Sequence, residues 1–409
     1  MFYALFSKKG IKIVQQLTGQ QRIKPWMGFV LFSVVVVLVI FVLDPVQEAW
    51  KVTGLIATEA SFLVLAIAYA LLFRIPFKEM FPVRRFSARD LFGSMFLVTG
   101  GTLFGLVSVA ATGIIFPKAL EGSDLQAIQN YVSGGTGYPL LMFAMAFMPA
   151  VCEEALHRGA IISNFRTIKK DWVIVLIMGL LFGINHLSVL RFVNTAVMGA
   201  CLTYIVVKKN NLILSSLMHF MINFTSASIS YFSGASSIQL TAERMRGALI
   251  VYLFLGLVAP FFIVIGLMLL NPQAHKNIRF VFAGIITAVM LISAFALMFT
   301  NPAAKVIAQT NISYTVESEN IDSPPVSFTV GTEGEYTVDV VIMNASGSYS
   351  VRIENAQGDT VAGGLITSSA FKVYNRQIGL EPGEYRIYVV NGIGTKGEKP
   401  VINVQVTSN

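Results

Sequence analysis

Residues 150–160, AVCEEALHRGA, put two adjacent carboxylates, an imidazole and a guanidinium at the end of the uncharged run from Tyr138 to Val151. A charged side chain at the centre of a bilayer costs about 3 kcal/mol on insertion scales, so an apolar chain does not carry four such groups idly. Helical spacing sorts them. Residues four apart share a face, whereas adjacent residues diverge by about 100°. Glu154 and Arg158 are therefore face-mates, able to pair along one helix, and Glu153 points elsewhere with His157 as its own i+4 neighbour. His219 and Asn223 are again four apart in HFMIN, and His186 follows Phe182 at the same spacing in FGINH. Pro149 removes a backbone bond and displaces the Met145 carbonyl, which loosens the helix one turn before the glutamates.

The chemistry these types suggest is water activation. A carboxylate in a low-dielectric cavity is a candidate general base, and an imidazole on a neighbouring helix can hold the same water. A histidine and an asparagine offer N–H donors to an oxyanion forming on a peptide carbonyl. Pairing Glu154 with Arg158 keeps one carboxylate charged and leaves Glu153 free to act. The bland alternative is interhelical glue, worth about 0.6 kcal/mol per polar contact. Two glutamates, an arginine, an asparagine and the histidines on three helices are too costly for that.

The elements that must position these groups follow from composition. The 409 residues are 55% hydrophobic and 13% charged, against about 25% charged in a soluble domain. Nine apolar segments are long enough to read as spanning helices: 27–43, 53–73, 91–116, 138–160, 172–188, 192–207, 211–231, 248–270 and 279–299. The expected fold is a polytopic helical membrane domain followed by an all-β domain. Residues 1–26 form an N-terminal segment, 27–303 the transmembrane domain and 304–409 the β domain. No cleavable signal peptide is read at the start, so the first helix is expected to be an uncleaved anchor. GGTLFG, Gly100 to Gly105, offers the small-residue spacing for close helix packing. Glu59, two turns into the second helix, is open to a functional role, but snorkelling to the outer interface accounts for it more simply.

Basic residues cluster at Lys8–Arg22–Lys24, Arg74–Arg89, Arg158–Lys170, Lys208–Lys209 and Lys276–Arg279, while the alternate loops hold few. The positive-inside rule then puts the N-terminus in the cytoplasm and, after nine crossings, the C-terminal domain outside. The net charge of +8 is thus accounted for by topology, and no soluble basic face speaks for nucleic acid. Cys152 and Cys201 both fall in predicted helices, so no disulfide framework is expected. Beyond Pro302, EYTVDVVIM, SYSVRIEN and GEYRIYVV alternate at period two between turn signals. Seven or eight short strands in about 105 residues predict a sandwich of immunoglobulin-like size.

Three motifs now stand in order on separate helices: EEALHR fits EExxxR, FGINH fits FxxxH and HFMIN fits HxxxN. Together they resemble the CPBP family of CAAX-protease and bacteriocin-processing intramembrane proteases, also called Abi, over about residues 90–231. The resemblance implies an intramembrane endopeptidase of the glutamic type, acting on a membrane-embedded or membrane-associated peptide or protein. It implies that Glu153 and His186 position and activate the water, that His219 and Asn223 stabilise the oxyanion, and that Glu154 and Arg158 support the site. His157 falls on an unspecified position of the motif and reads as a bystander. Removal of the last three residues of prenylated CAAX proteins belongs to eukaryotic members and is not carried over. No metal or other cofactor is expected. A zinc peptidase is an alternative, since two histidines, a glutamate and water form a known catalytic zinc set, though no HExxH helix is present. A non-catalytic immunity or peptide-binding membrane protein is another. The outer domain is expected to meet an extracytoplasmic protein partner.

Depth raises a conflict. Counted from the predicted inner helix ends at 1.5 Å per residue, His219 lies about 12 Å deep and His186 about 21 Å, with Glu153 nearer the inner surface. Tilt, or a different start of the fifth helix, would have to bring them together.

Overall fold

A computed structural model of the chain describes residues 23–120, 136–233, 242–272, 277–300, 305–343, 345, 347–366 and 372–408. His275 lies outside them, as do Lys8, Lys9, Lys12, Arg22 and Lys276. The described residues form two compact units, a helical one ending at Phe295 and a second beginning at Ala296.

Each of the nine apolar segments is helical. Helices α1 (Pro25–Leu38) and α2 (Asp44–Leu72) are joined through a π turn at Val39–Leu43. They are followed by α3 (Ala88–Ile115), α4 (Tyr138–Ile161), α5 (Asp171–Asn185), α6 (Phe192–Lys209), α7 (Leu212–Ser233), α8 (Ala242–Gly256), α9 (Ala259–Leu270) and α10 (Ile278–Thr300).

Among the described residues, five helices are long and apolar enough to cross a membrane, or six if the bent pair formed by α8 and α9 is one span. This count does not establish the nine separate spans expected from the sequence, because several segments join, shorten or bend. The first two segments form one 48-residue apolar run. A straight helix of that length would measure about 72 Å, over twice the roughly 30 Å hydrocarbon core. The run is broken at Lys51, whose backbone takes φ 54° and ψ −125°. There it folds back: a Cβ on Gly54 would lie 2.6 Å from the Gln47 Cα, and Trp26 and Met27 line one small cavity with Tyr69 and Phe73. The fifth segment stops after 15 residues at Asn185, the sixth carries Lys208 and Lys209 in its last turn, and the eighth bends by 43° after Gly256.

Small residues let these helices approach. Gly100 of α3 faces Ala259 and Ile263 of α9, while Gly101 and Gly105 face Cys201 and Asn194 of α6. A seam of the same kind joins α5 to α6. A Cβ on Gly179 would meet the Ala196 carbonyl at 2.8 Å, and one on Gly183 the Phe192 carbonyl at 2.9 Å. One end of the helical unit gathers the basic loops. Lys208 pairs with Asp171 at 2.5 Å and Lys209 with Asp90 at 2.6 Å. Asn211 donates to the Arg84 carbonyl at 2.6 Å. In the same loops burial pulls the Arg166 guanidinium down and the charge of Glu79 opposes it.

The second unit is an antiparallel sandwich of two four-stranded sheets, ordered β1-β8-β3-β6 and β2-β7-β4-β5. The strands are β1 (Lys305–Ser313), β2 (Val326–Val330), β3 (Gly334–Met343), β4 (Tyr349–Asn355), β5 (Thr360–Ile366), β6 (Lys372–Leu380), β7 (Gly383–Asn391) and β8 (Val401–Ser408). Alternate residues point inward, so Val338, Val340 and Ile342 meet Val351, Ile353, Ile387 and Val389 in one core.

Candidate active site

Helix α4 reaches the site through uneven backbone. An α-helical stretch at Met148–Glu154 lies between π turns at Phe143–Phe147 and Ala155–Ile161. Pro149 opens the central stretch, where its missing N–H breaks the ladder. π turns inside α-helices gather at functional sites because they re-aim side chains by a fraction of a turn.

Glu154 is fully buried and held on both oxygens. Arg158 Nη1 donates to its Oε1 at 2.7 Å, Ser215 Oγ donates to its Oε2 at 2.6 Å, and His219 Nδ1 lies 3.1 Å from Oε1. Arg158 spends a second donor on the Gly199 carbonyl at 3.1 Å and lies over the Phe182 ring, 4.3 Å from its centroid. A desolvated guanidinium needs this many partners, because a buried charge is tolerated only when paired and hydrogen-bonded.

Glu153 contrasts with its neighbour. It is 7% exposed, and its buried Oε2 has no hydrogen-bond partner among the described residues. His219 Nε2 lies 4.0 Å from it, beyond a direct hydrogen bond. His219 thus faces two carboxylates, Glu154 through Nδ1 and Glu153 through Nε2. Since a carboxylate only accepts, the contact to Glu154 puts a proton on Nδ1.

Phe182 is the hub. The rings of His157, His186 and His219 all stand edge-on to it, with centroids 5.1, 5.0 and 5.9 Å away. His186 caps the C-terminal end of α5 and is half-buried. The depth conflict in the sequence reading is therefore resolved: His186 and His219 meet at one phenyl ring. Asn223, half-buried, follows His219 by one turn on α7. His157 is fully buried, with neither ring nitrogen hydrogen-bonded among the described residues, and packs on Phe182.

Sequence reasoning missed four participants. Ser215 lies one turn before His219 and carries no motif. Phe182 was read as a spacing marker. Arg191, just before α6 and outside all three motifs, lies within electrostatic reach of Glu153 and His186. Glu59 is corrected outright. At 4% exposure it does not snorkel to an interface, and its carboxyl group lies within electrostatic reach of that of Glu153. A carboxyl on an otherwise apolar helix face was the available signal. Among the described residues, no three His, Cys, Asp or Glu side chains converge as a metal-holding group.

An apolar cavity of about 750 Å³ lies between the same two helices, lined by Val151 and Ala155 of α4 and by Leu212, Ser216 and Phe220 of α7. Val151 and Ala155 share one face of α4 and Glu153, two residues from each, points away from it.

Residues 135–225 match the family model of the Rce1-like type II CAAX prenyl endopeptidases. The match bears out the resemblance to the CPBP family and spans EExxxR, FxxxH and HxxxN, in less than a quarter of the chain. No curated protein matches the sequence. Among solved structures, a carbohydrate-binding module (CBM6cm-2) from Cellvibrio mixtus lichenase 5A, in complex with cellotriose, is similar to 26% of this chain over 99% of its own length. The identity is 13% and the TM-score 0.20, a likeness that carries no argument about function.

Proposed function

We propose that the helical unit is an intramembrane endopeptidase that hydrolyses a peptide bond of a membrane-associated protein or peptide. The observation that carries this reading is that His186 and His219 share the Phe182 ring while His219 Nε2 lies 4.0 Å from Glu153 Oε2, inside the Rce1-like segment. Glu153 Oε2, with no hydrogen bond to give up among the described residues, accepts a proton from a water that His186 orients. The water oxygen attacks the carbonyl carbon, and the oxyanion takes hydrogen bonds from Asn223 and His219. With Nδ1 committed to Glu154, His219 donates from Nε2 as an imidazolium, and Glu154 is its counter-charge. Glu153 then passes its proton to the departing amide nitrogen as the C–N bond breaks. Arg158 and Ser215 hold Glu154 in place, and no metal takes part.

The apolar cavity between α4 and α7 supports an apolar substrate, whose chain can lie against Val151 and Phe220. By the positive-inside rule the basic end of the helices faces the cytoplasm. The β unit, in this reading, lies outside the plasma membrane and recognises a protein partner there.

The test uses the purified full chain and a membrane-anchored fluorogenic peptide. Glu153→Gln and His186→Ala are expected to lower turnover by about 10²-fold or more, the scale of lost general-base catalysis, with unchanged melting curves. Near-normal turnover in Glu153→Gln would overturn the assignment.

A further inference from the structure

One buried carboxyl group is left unused by this reaction. Glu59 of α2 is 4% exposed, and its Oε2 is buried without a hydrogen-bond partner among the described residues. Phe62 and Ala66, one and two turns further along the same helix face, pack in one core with Cys152, Ala155 and Leu156 of α4. That places Glu59 on the side of α2 that meets the catalytic helix. Its carboxyl group lies within electrostatic reach of that of Glu153, and both lie within reach of the Cys152 thiol. Glu153 presents an equally unpartnered Oε2, while Arg158 is committed to Glu154. Burying an unpaired carboxylate costs several kcal/mol, and two neighbouring carboxyl groups resist ionising together. A merely structural position on α2 would be better filled by leucine.

We propose that Glu59 is a positioning residue for this hydrolysis: the two carboxyl groups share one proton, which Glu59 holds while Glu153 stays charged and aimed at the water. The proposal rests on the reading of Glu153 as the base. Glu59 lies outside the matched residues 135–225, on a helix that none of the three motifs touches.

The experiment compares Glu59→Leu, Glu59→Gln and Glu153→Gln in the purified full chain with the same membrane-anchored peptide. Leucine fills the space but cannot donate a proton, whereas glutamine keeps a neutral N–H donor. Glu59→Leu is expected to lower kcat by about 10-fold or more, with KM changed by less than about two-fold and an equal or higher melting temperature. Glu59→Gln is expected to recover most of the lost kcat. Full kcat in Glu59→Leu, or equal losses in both Glu59 variants, overturns the proposal while loss of turnover in Glu153→Gln leaves the base in place. Turnover retained in Glu153→Gln removes the base and the proposal together.

Discussion

At Glu154, two oxygens serve Arg158, Ser215 and His219 at once. Removing the guanidinium leaves the buried carboxylate with the Ser215 hydroxyl and the His219 ring. Breaking a buried pair from one side costs roughly 3–5 kcal/mol, because the surviving charge loses its buried ion-pair partner. Arg158→Met is expected to destabilise the chain on that scale, read by thermal or denaturant unfolding. The double variant Glu154→Gln with Arg158→Met is expected to lose much less than the sum of its parts. A sum of the two single losses would mean that the groups do not act as a pair. The Glu154–Arg158 pair was legible in the sequence because i,i+4 geometry is fixed by the helix itself. Ser215 and Glu59 were not, because their roles depend on which helices become neighbours, and periodicity within one helix carries no such information.

The elements were legible where the signal is local. The alternation in residues 335–343, 348–355 and 383–390 corresponds to β3, β4 and β7, and each apolar segment corresponds to helix. What sequence counting lost was how helices bend and tilt. It assumed straight, untilted rods with a common origin, whereas α4 carries two π turns and α2 turns back at Lys51. Helices of unequal depth can then converge, as His186 and His219 do on Phe182. That ring is seated by the glycine seam of α5 and α6. A Cβ on Gly199 would lie 2.6 Å from the Phe182 Cβ, and the Gly199 carbonyl accepts from Arg158. Gly199→Ala is therefore expected to displace both hub and guanidinium, costing about 1–3 kcal/mol of stability by overpacking and lowering turnover as well. Wild-type melting and turnover in that variant would show the seam to be looser than its contacts imply.

At the scale of the whole molecule, charge decides orientation. The Lys208–Asp171 and Lys209–Asp90 pairs and the Asn211–Arg84 contact bring three separate basic stretches of sequence to one end of the helical unit. Retention of Lys and Arg on the cytoplasmic side orients a multi-pass chain, so this end is expected to face inward. The β unit closes its own core from strands alone and has the size of an independent domain, and an odd number of crossings would carry it outside. Both native thiols are buried, so an introduced cysteine can report alone. Val83 is 65% exposed among the basic loops, and Gln357 is exposed in the turn between β4 and β5. In intact spheroplasts, a membrane-impermeant maleimide is expected to label Gln357→Cys and to leave Val83→Cys unreacted until the membrane is opened. The reverse pattern would invert the topology. Labelling of both or neither before opening would place the two positions on the same side, requiring an even number of crossings between them and a β unit beside the basic loops.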